Sequence, residues 1–229
     1  MEEACGRWRK ARNETARCHN NNGSHGLRLD QYGATREHKG MNTPTHLIVA
    51  AAILAQPGAK RRNLVVAAGA LAPDLSIYIF FVWAQLFTDA TMHQVWGELY
   101  WTEPWQTFGA ISNSLPIALL LLGIGLWRRL PLFVVFAAAL FVHAGLDFPL
   151  HADDAHRHFW PLSNWRFHSP VSYWDQGANG TIGGLIELLT LSAASFVLWR
   201  RFPSRWVRAT VIGACLLSVA TYTRFYFIS

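Results

Sequence analysis

Charged residues and cysteine are both scarce in this chain. Only 15% of its 229 residues are charged, whereas about a quarter are charged in ordinary soluble domains. This shortage excludes a soluble enzyme with a single core, and a hydrophobic share of 52% excludes a chain that is disordered throughout. Three cysteines, Cys5, Cys18 and Cys215, form no CxxC motif and no regular spacing, so neither a disulfide framework nor a thiolate metal site is indicated.

The sequence contains instead a series of long uncharged segments. Six can be read, at about 44–59, 64–87, 107–127, 131–148, 183–199 and 209–227. The last five are long enough to cross a hydrocarbon layer of about 30 Å at about 1.5 Å per residue. The first is shorter and ends at Pro57-Gly58. We therefore predict an all-α protein, a polytopic transmembrane helical bundle of about six spans.

Many of the charges lie at the beginning of the chain. Residues 1–40 hold eight of the 20 Lys and Arg and five of the 14 Asp and Glu, without apolar periodicity, which is typical of disorder. Met41 opens the apolar body, so our hypothesis is that translation starts there and that the tail is an upstream extension. A disordered tail of the native protein is the alternative. The membrane domain would be 41–229, with an outer His/Asp-rich loop at 151–182.

Basic residues follow the first, third and fifth segments. They are Lys60, Arg61, Arg62, Arg128, Arg129, Arg200, Arg201, Arg205 and Arg208. With six spans, all nine lie on one side of the membrane, which the positive-inside rule assigns to the cytoplasm. The pI near 9.6 thus reflects topology signals, so we predict the lipid bilayer as a partner and no nucleic acid. We expect an integral, multi-pass protein of the bacterial inner membrane with its site on the non-cytoplasmic side.

Five polar side chains within the apolar segments fall at one depth. His46, Asp74, Asn113, His143 and Glu187 each lie 12 to 15 residues from the nearest of these basic residues. At about 1.5 Å per residue, each is roughly 20 Å from the basic edge. Ionisable groups inside spans are costly and indicate function, so we predict a shared polar cavity in the outer half of the membrane.

The residue types in this cavity and in the loop after the fourth segment are those of a metal site. His143 and Asp147 are four residues apart and share a helix face. Imidazole and carboxylate suit zinc, our first choice, or manganese. The predicted ligands are His46, Asp74, His143, Asp147, His151, Asp154 and His156.

Each ligand also has a structural alternative. Asp74 could be an N-cap that restarts a helix after Pro73. His143 and Asp147 could be a satisfied polar pair between helices. The loop residues could be solvated polar groups, and Glu187 could be a neutral buried acid. His158 is a weaker choice than its neighbours.

Several short motifs resemble one known family. They are Thr45-His46, Leu71-Ala72-Pro73-Asp74, His143-x-x-x-Asp147, and Trp160-Pro161 followed by Trp165-Arg166-Phe167. Their order resembles the membrane-bound metal-dependent hydrolases of bacterial inner membranes, over Met41 to about Asp175. The resemblance implies a polytopic helical hydrolase that requires a metal. The family's distant likeness to zinc-dependent phospholipases implies a phosphoester or lipid-like substrate at the outer leaflet.

The chain departs from that family at the third segment. Many members have His-Arg-Gly-x-Thr-His-Ser there, whereas this chain has Phe108-Gly109-Ala110-Ile111-Ser112-Asn113-Ser114. Ser114 matches the last position, but both histidines are absent. Either His151 and His156 replace them as ligands, or the metal site is reduced.

The function that we predict is that of a membrane-embedded, metal-dependent hydrolase. Asp153 or Glu187 would accept a proton, and Arg157 or Arg166 would hold an anionic substrate oxygen. The alternative is a non-enzymatic integral membrane protein, either a degenerate hydrolase that acts as a scaffold or a metal- or proton-handling protein. A conductor needs polar residues at every depth, and the basic-side halves of the segments are almost purely apolar.

Overall fold

The described part of the chain is entirely helical. The structure is a computed structural model that describes residues 43–172 and 178–224, and these contain eight α-helices, one 3-10 turn and no strand. The all-α prediction is thereby confirmed. The predicted disordered tail and the hypothetical start at Met41 lie outside the described residues.

The helices follow one another with short connections. They are α1 (Thr43–Leu54), α2 (Lys60–Phe87), α3 (Met92–Gly97), α4 (Glu103–Ser112), α5 (Leu115–Trp127), α6 (Pro131–Asp147), α7 (Gly180–Arg201) and α8 (Arg205–Thr223), with the 3-10 turn at Leu99–Trp101. Helix starts follow local signals. Proline occupies the first turn of α4, α5 and α6, where its missing N–H costs nothing. Ser114 caps α5 by accepting a hydrogen bond from the Ile117 backbone N–H.

Among the described helices, fewer are long and apolar enough to span a membrane than the six that we predicted. Three of them, α2, α7 and α8, are long and apolar enough to cross a membrane. The pair α4 and α5, bent by 42° at its break, can make a fourth span. The 12 residues of α1 reach only about 18 Å and the 17 residues of α6 about 26 Å. The first ends before Pro57 and Gly58, which has a φ of 79°, and the second ends before Pro149.

Other helices enclose helix α1. It packs against α2, α6 and α7, and its apolar side chains Ile48, Val49 and Ala50 are buried. At its C-terminus, the guanidinium groups of Arg62 and Arg201 donate to the carbonyls of Leu54 at 2.9 Å and Ala52 at 2.7 Å. These donors satisfy two of the carbonyls that a helix end leaves without partners.

The basic clusters meet at one end of the bundle. Arg62 and Arg201 both contact the end of α1, which places the start of α2 beside the end of α7. Helices α2 and α6 run parallel, since Gly69 lies against Phe136 and the Ala70 carbonyl bonds to His143. The start of α6 therefore lies at the same end. We call this the basic end.

An aromatic cluster forms away from the basic end. It consists of Phe80, Trp83, Trp96, Tyr100 and Trp105, from α2, α3, the 3-10 turn and α4. The Phe80 ring lies 5.5 Å from those of Trp96 and Tyr100 and 5.1 Å from that of Trp105. The cluster fixes α4 against the last turns of α2.

Close packing of α2 on α6 depends on Gly69. A Cβ there would lie 2.5 Å from the Phe136 carbonyl oxygen and 2.8 Å from the Ala139 Cβ. We expect Gly69→Ala to destabilise the protein, because overpacking costs about 1–3 kcal/mol and outweighs the roughly 1 kcal/mol by which a helix favours Ala over Gly. Denaturation in detergent measures this change. Gly145→Ala is the control, since nothing lies within 4 Å of its added Cβ, and equal stability of both variants would contradict the packing argument.

Candidate metal centre

Three of the predicted ligands converge in a buried group. His46 lies on α1, and His143 and Asp147 lie on α6. One ligand atom from each residue lies within 4.8 Å of the other two, and all three side chains are buried. This group could hold a metal ion.

The Asp147 carboxylate is shared by both imidazoles. Its Oδ1 lies 2.9 Å from His46 Nε2, and its Oδ2 lies 3.2 Å from His143 Nε2. The two rings stack with their centroids 3.9 Å apart and an interplanar angle of 16°. Two imidazoles therefore direct the same ring nitrogen towards one carboxylate.

Asp74 supplies a second buried carboxylate. Its Oδ1 lies 3.4 Å from His143 Nε2, and the residue is 1% exposed. The alternative that Asp74 is an N-cap is wrong, because α2 runs without interruption through Pro73 and Asp74. The conformation of α2 instead carries the carboxylate into the space beside α6.

A backbone carbonyl fixes the orientation of His143. Its Nδ1 lies 2.6 Å from the carbonyl oxygen of Ala70. A carbonyl only accepts, so Nδ1 is the donor, and in neutral imidazole Nε2 then carries the lone pair. Metal-binding histidines are usually held by such a contact on the other ring nitrogen.

Several buried atoms of this group have no hydrogen-bond partner among the described residues. They are His46 Nδ1, both carboxylate oxygens of Asp74, His143 Nε2 and Asp147 Oδ2. Buried carboxylates are costly unless positive charge or hydrogen bonds compensate them. A divalent cation bound by imidazole and carboxylate would supply that charge, so the residues present fit such an ion.

The outer loop brings His151 and Asp154 to the rim of the group. His151 Nε2 lies 3.4 Å from Asp147 Oδ1, and its Nδ1 lies 2.8 Å from Asp154 Oδ2. Burial opposes a charge on His151, but the carboxylates of Asp154 and Asp147 outweigh it and raise the pKa of His151. Burial likewise opposes ionisation of Asp154, but His151 outweighs it and lowers the pKa of Asp154 to about 2.

Two further histidines are buried beside His151. The His156 ring lies 5.5 Å from that of His151 and 5.8 Å from that of His158. Burial and the neighbouring imidazoles lower the pKa of His156 to about 3, so it is neutral. His158, the weaker choice from sequence, is 2% exposed and its Nδ1 donates to the Asn113 carbonyl at 3.0 Å. No local pattern sets His158 apart, because Arg157 between the two histidines is buried as well.

His158 lies at the break between α4 and α5. Its carbonyl accepts from the Leu115 backbone N–H at 2.9 Å, and the Ser114 hydroxyl donates to the Trp160 carbonyl. These two hydrogen bonds hold the loop against the break between α4 and α5.

The two predicted substrate-binding arginines have protein partners. Arg157 donates to Glu103 at 2.8 Å, Thr107 at 3.0 Å and Asn164 at 3.3 Å. Arg166 donates to the Ala155 carbonyl at 2.7 Å and to Gln106 at 2.8 Å. Both guanidinium groups thus contact α4 and the loop, and their substrate-binding role stays a prediction.

The two predicted catalytic carboxylates lie in different surroundings. Glu187 is buried on α7 and accepts a hydrogen bond from the Thr45 hydroxyl at 2.7 Å, one residue before His46. Asp153 is exposed on the loop. The structure therefore brings Glu187, and not Asp153, next to a residue that adjoins the buried group.

No family model, curated protein or solved structure matches this chain. The resemblance to membrane-bound metal-dependent hydrolases therefore stays a prediction that rests on the sequence motifs alone.

Truncation of Arg157 tests whether this residue holds the loop against α4. We expect Arg157→Ala to speed amide hydrogen exchange in the loop about tenfold, because hydrogen bonds from a charged group contribute roughly 1.5–3 kcal/mol. Glu103→Gln is the control and should have a smaller effect, because an ion pair with an exposed carboxylate contributes little to stability. Unchanged amide hydrogen exchange in Arg157→Ala would show that Arg157 does not hold the loop.

Proposed function

We propose that this protein is a membrane-embedded hydrolase that depends on a divalent metal ion. The observation that carries the proposal is the burial of two carboxylates, Asp74 and Asp147, against two stacked imidazoles, with polar atoms that have no hydrogen-bond partner among the described residues. A structural polar pair would satisfy these atoms internally, whereas a metal site leaves them directed at the ion.

His46, His143 and Asp147 would hold the ion, with Asp74 beside them. Zinc is the proposed metal and manganese the second choice, since both accept imidazole and carboxylate together. When bound, such an ion supplies a Lewis acid that activates water and polarises an ester or phosphoryl oxygen.

The chain's own residues supply the positioning and the proton acceptor. The Ala70 carbonyl holds the His143 ring in one tautomer, so the ligand nitrogen is set before any ion binds. Glu187 is the better of the two predicted proton acceptors, because it is buried and bonded to Thr45 beside His46.

The proposed substrate is an ester or phosphoester of lipid-like character. Ile48, Val49 and Leu191 are buried together between the metal-binding group and the basic end. This apolar core supports access to the group from the opposite end of the bundle. If the basic end is cytoplasmic, this access lies at the outer leaflet of the bacterial inner membrane.

Metal content tests the centre. We expect wild-type protein, purified in detergent with zinc or manganese supplied, to retain the ion, and His143→Ala or Asp147→Ala to lose it. The loss in affinity should exceed the roughly 10–100-fold loss that is typical when a residue that only orients a metal ligand is replaced. His93→Ala and Asp89→Asn are matched controls at exposed positions and should retain the ion. A wild type without metal would overturn the proposal.

Turnover tests the hydrolase assignment separately. A panel of phosphodiester and carboxylic-ester lipids in detergent should reveal hydrolysis that a chelator stops. Glu187→Gln should lower kcat about 100-fold or more while metal content stays unchanged. Metal binding without turnover across the panel would favour the non-enzymatic alternative.

Reporter fusions test the orientation and the status of α6. Fusions after Arg129 and after Trp174 flank this 17-residue helix and should report opposite sides, with the first in the cytoplasm. A short helix can span where neighbouring helices and local thinning cover its ends. Reporters on the same side would show that α6 does not cross the membrane.

A further inference from the structure

We infer that Asp154 is a positioning residue that orients His151 as a fourth ligand, from the loop, for a metal ion held by His46, His143 and Asp147. The inference rests on the proposed metal centre. It assigns Asp154 a role one step outside the centre, in place of the ligand role predicted from sequence.

The contacts of His151 set the direction of its ring. Asp154 Oδ2 lies 2.8 Å from Nδ1, and an ionised carboxylate only accepts, so Nδ1 is the donor. Nε2 is then the nitrogen directed at Asp147 Oδ1, at 3.4 Å. His143 has the same arrangement, with the Ala70 carbonyl at Nδ1 and Asp147 at Nε2. Two histidines are thus fixed through the same ring nitrogen.

The contact between His151 and Asp147 calls for a proton or a metal ion between the two atoms. In neutral imidazole that donates through Nδ1, Nε2 is an acceptor, and so is the carboxylate oxygen that faces it. Two acceptors at 3.4 Å repel unless a proton or a metal ion lies between them. The same oxygen also lies 2.9 Å from His46 Nε2, so a metal ion can be shared by more of these atoms than a single proton.

Burial separates the ligands from the positioning residue. The side chain of Asp147 is 2% exposed and that of His151 7%, whereas that of Asp154 is 28% exposed. Asp154 therefore lies at the rim and reaches the buried group only through His151. Carboxylates that orient a ligating histidine in this way raise its basicity and fix its ring.

The loop backbone around His151 is held without Asp154. The Ser169 backbone N–H donates to the His151 carbonyl at 2.9 Å, and the Ser169 hydroxyl donates to the Pro149 carbonyl at 2.6 Å. His168 Nδ1 donates to the Ala152 carbonyl at 2.9 Å. A change at residue 154 therefore alters the His151 ring while these backbone bonds persist.

Titration of the full-length protein in detergent with Zn²⁺ and with Co²⁺ tests the inference. Asp154→Ala should weaken binding of each metal ion about 10–100-fold, as loss of a carboxylate that orients a ligating histidine does. Asp154→Asn should weaken it less, because the amide oxygen can accept the same hydrogen bond. Once His151→Ala is present, Asp154→Ala should add no further loss, which is the sign of two residues that act as a unit. Asp89→Ala, exposed and outside the loop, is the control.

The Co²⁺ absorption spectrum adds a readout that a merely structural role would not change. His151→Ala should alter its intensity and position, because a nitrogen ligand is lost, and Asp154→Ala should shift it in the same direction. Hydrogen exchange of the metal-free variants checks that the loop stays folded. If Asp154→Ala unfolds the loop, the metal affinity of Asp154→Asn is compared with that of His151→Ala. A smaller loss in Asp154→Asn supports the inference, and an equal or larger loss contradicts it.

The outcomes separate this inference from the proposed function. Additive losses from His151→Ala and Asp154→Ala, or wild-type affinity and spectrum in His151→Ala, would overturn the inference and leave the three-residue centre standing. A wild type that binds neither ion would overturn both.

Discussion

Two carboxylates buried between helices require positive charge close by, and this requirement organises the bundle. Asp74 and Asp147 come from α2 and α6, and the imidazoles that face them come from α1 and α6. The helices must approach closely for these groups to meet, and Gly69 allows it by leaving no side chain between α2 and the Phe136 carbonyl. Packing and electrostatics are therefore coupled, because the contact that brings the backbones together also brings the Ala70 carbonyl to His143.

A second requirement, that backbone polar groups be satisfied, explains where regular structure stops. Backbone without helical partners is tolerated at membrane depth only where protein covers it. The end of α1 is covered by Arg62 and Arg201, and the break between α4 and α5 is covered by the loop at His158. Hydrophobic length alone thus predicts too many spans, because an apolar segment enclosed by other helices has the same composition as one that faces lipid.

The candidate site was predictable where helix geometry controls it and unpredictable where tertiary contacts do. A constant rise per residue placed His46, Asp74 and His143 at one depth, and the structure brings them together. The partners of Arg157 and Arg166 come from α4, about 50 to 60 residues earlier, and no local pattern encodes that pairing. The burial of His158 likewise depends on the docking of the loop on Asn113.

The distribution of polarity about the centre bears on the two rival functions. A conductor needs polar groups on both sides of the buried group. Towards the basic end, the described interior contains Val49, Ala52 and Leu198 and then the arginines that close α1. Towards the other end lie His151, His156 and the partly exposed Asp154. Polar groups at a single end argue against a conductor, which needs them on both sides, and agree with the proposed site, which needs them on one side only.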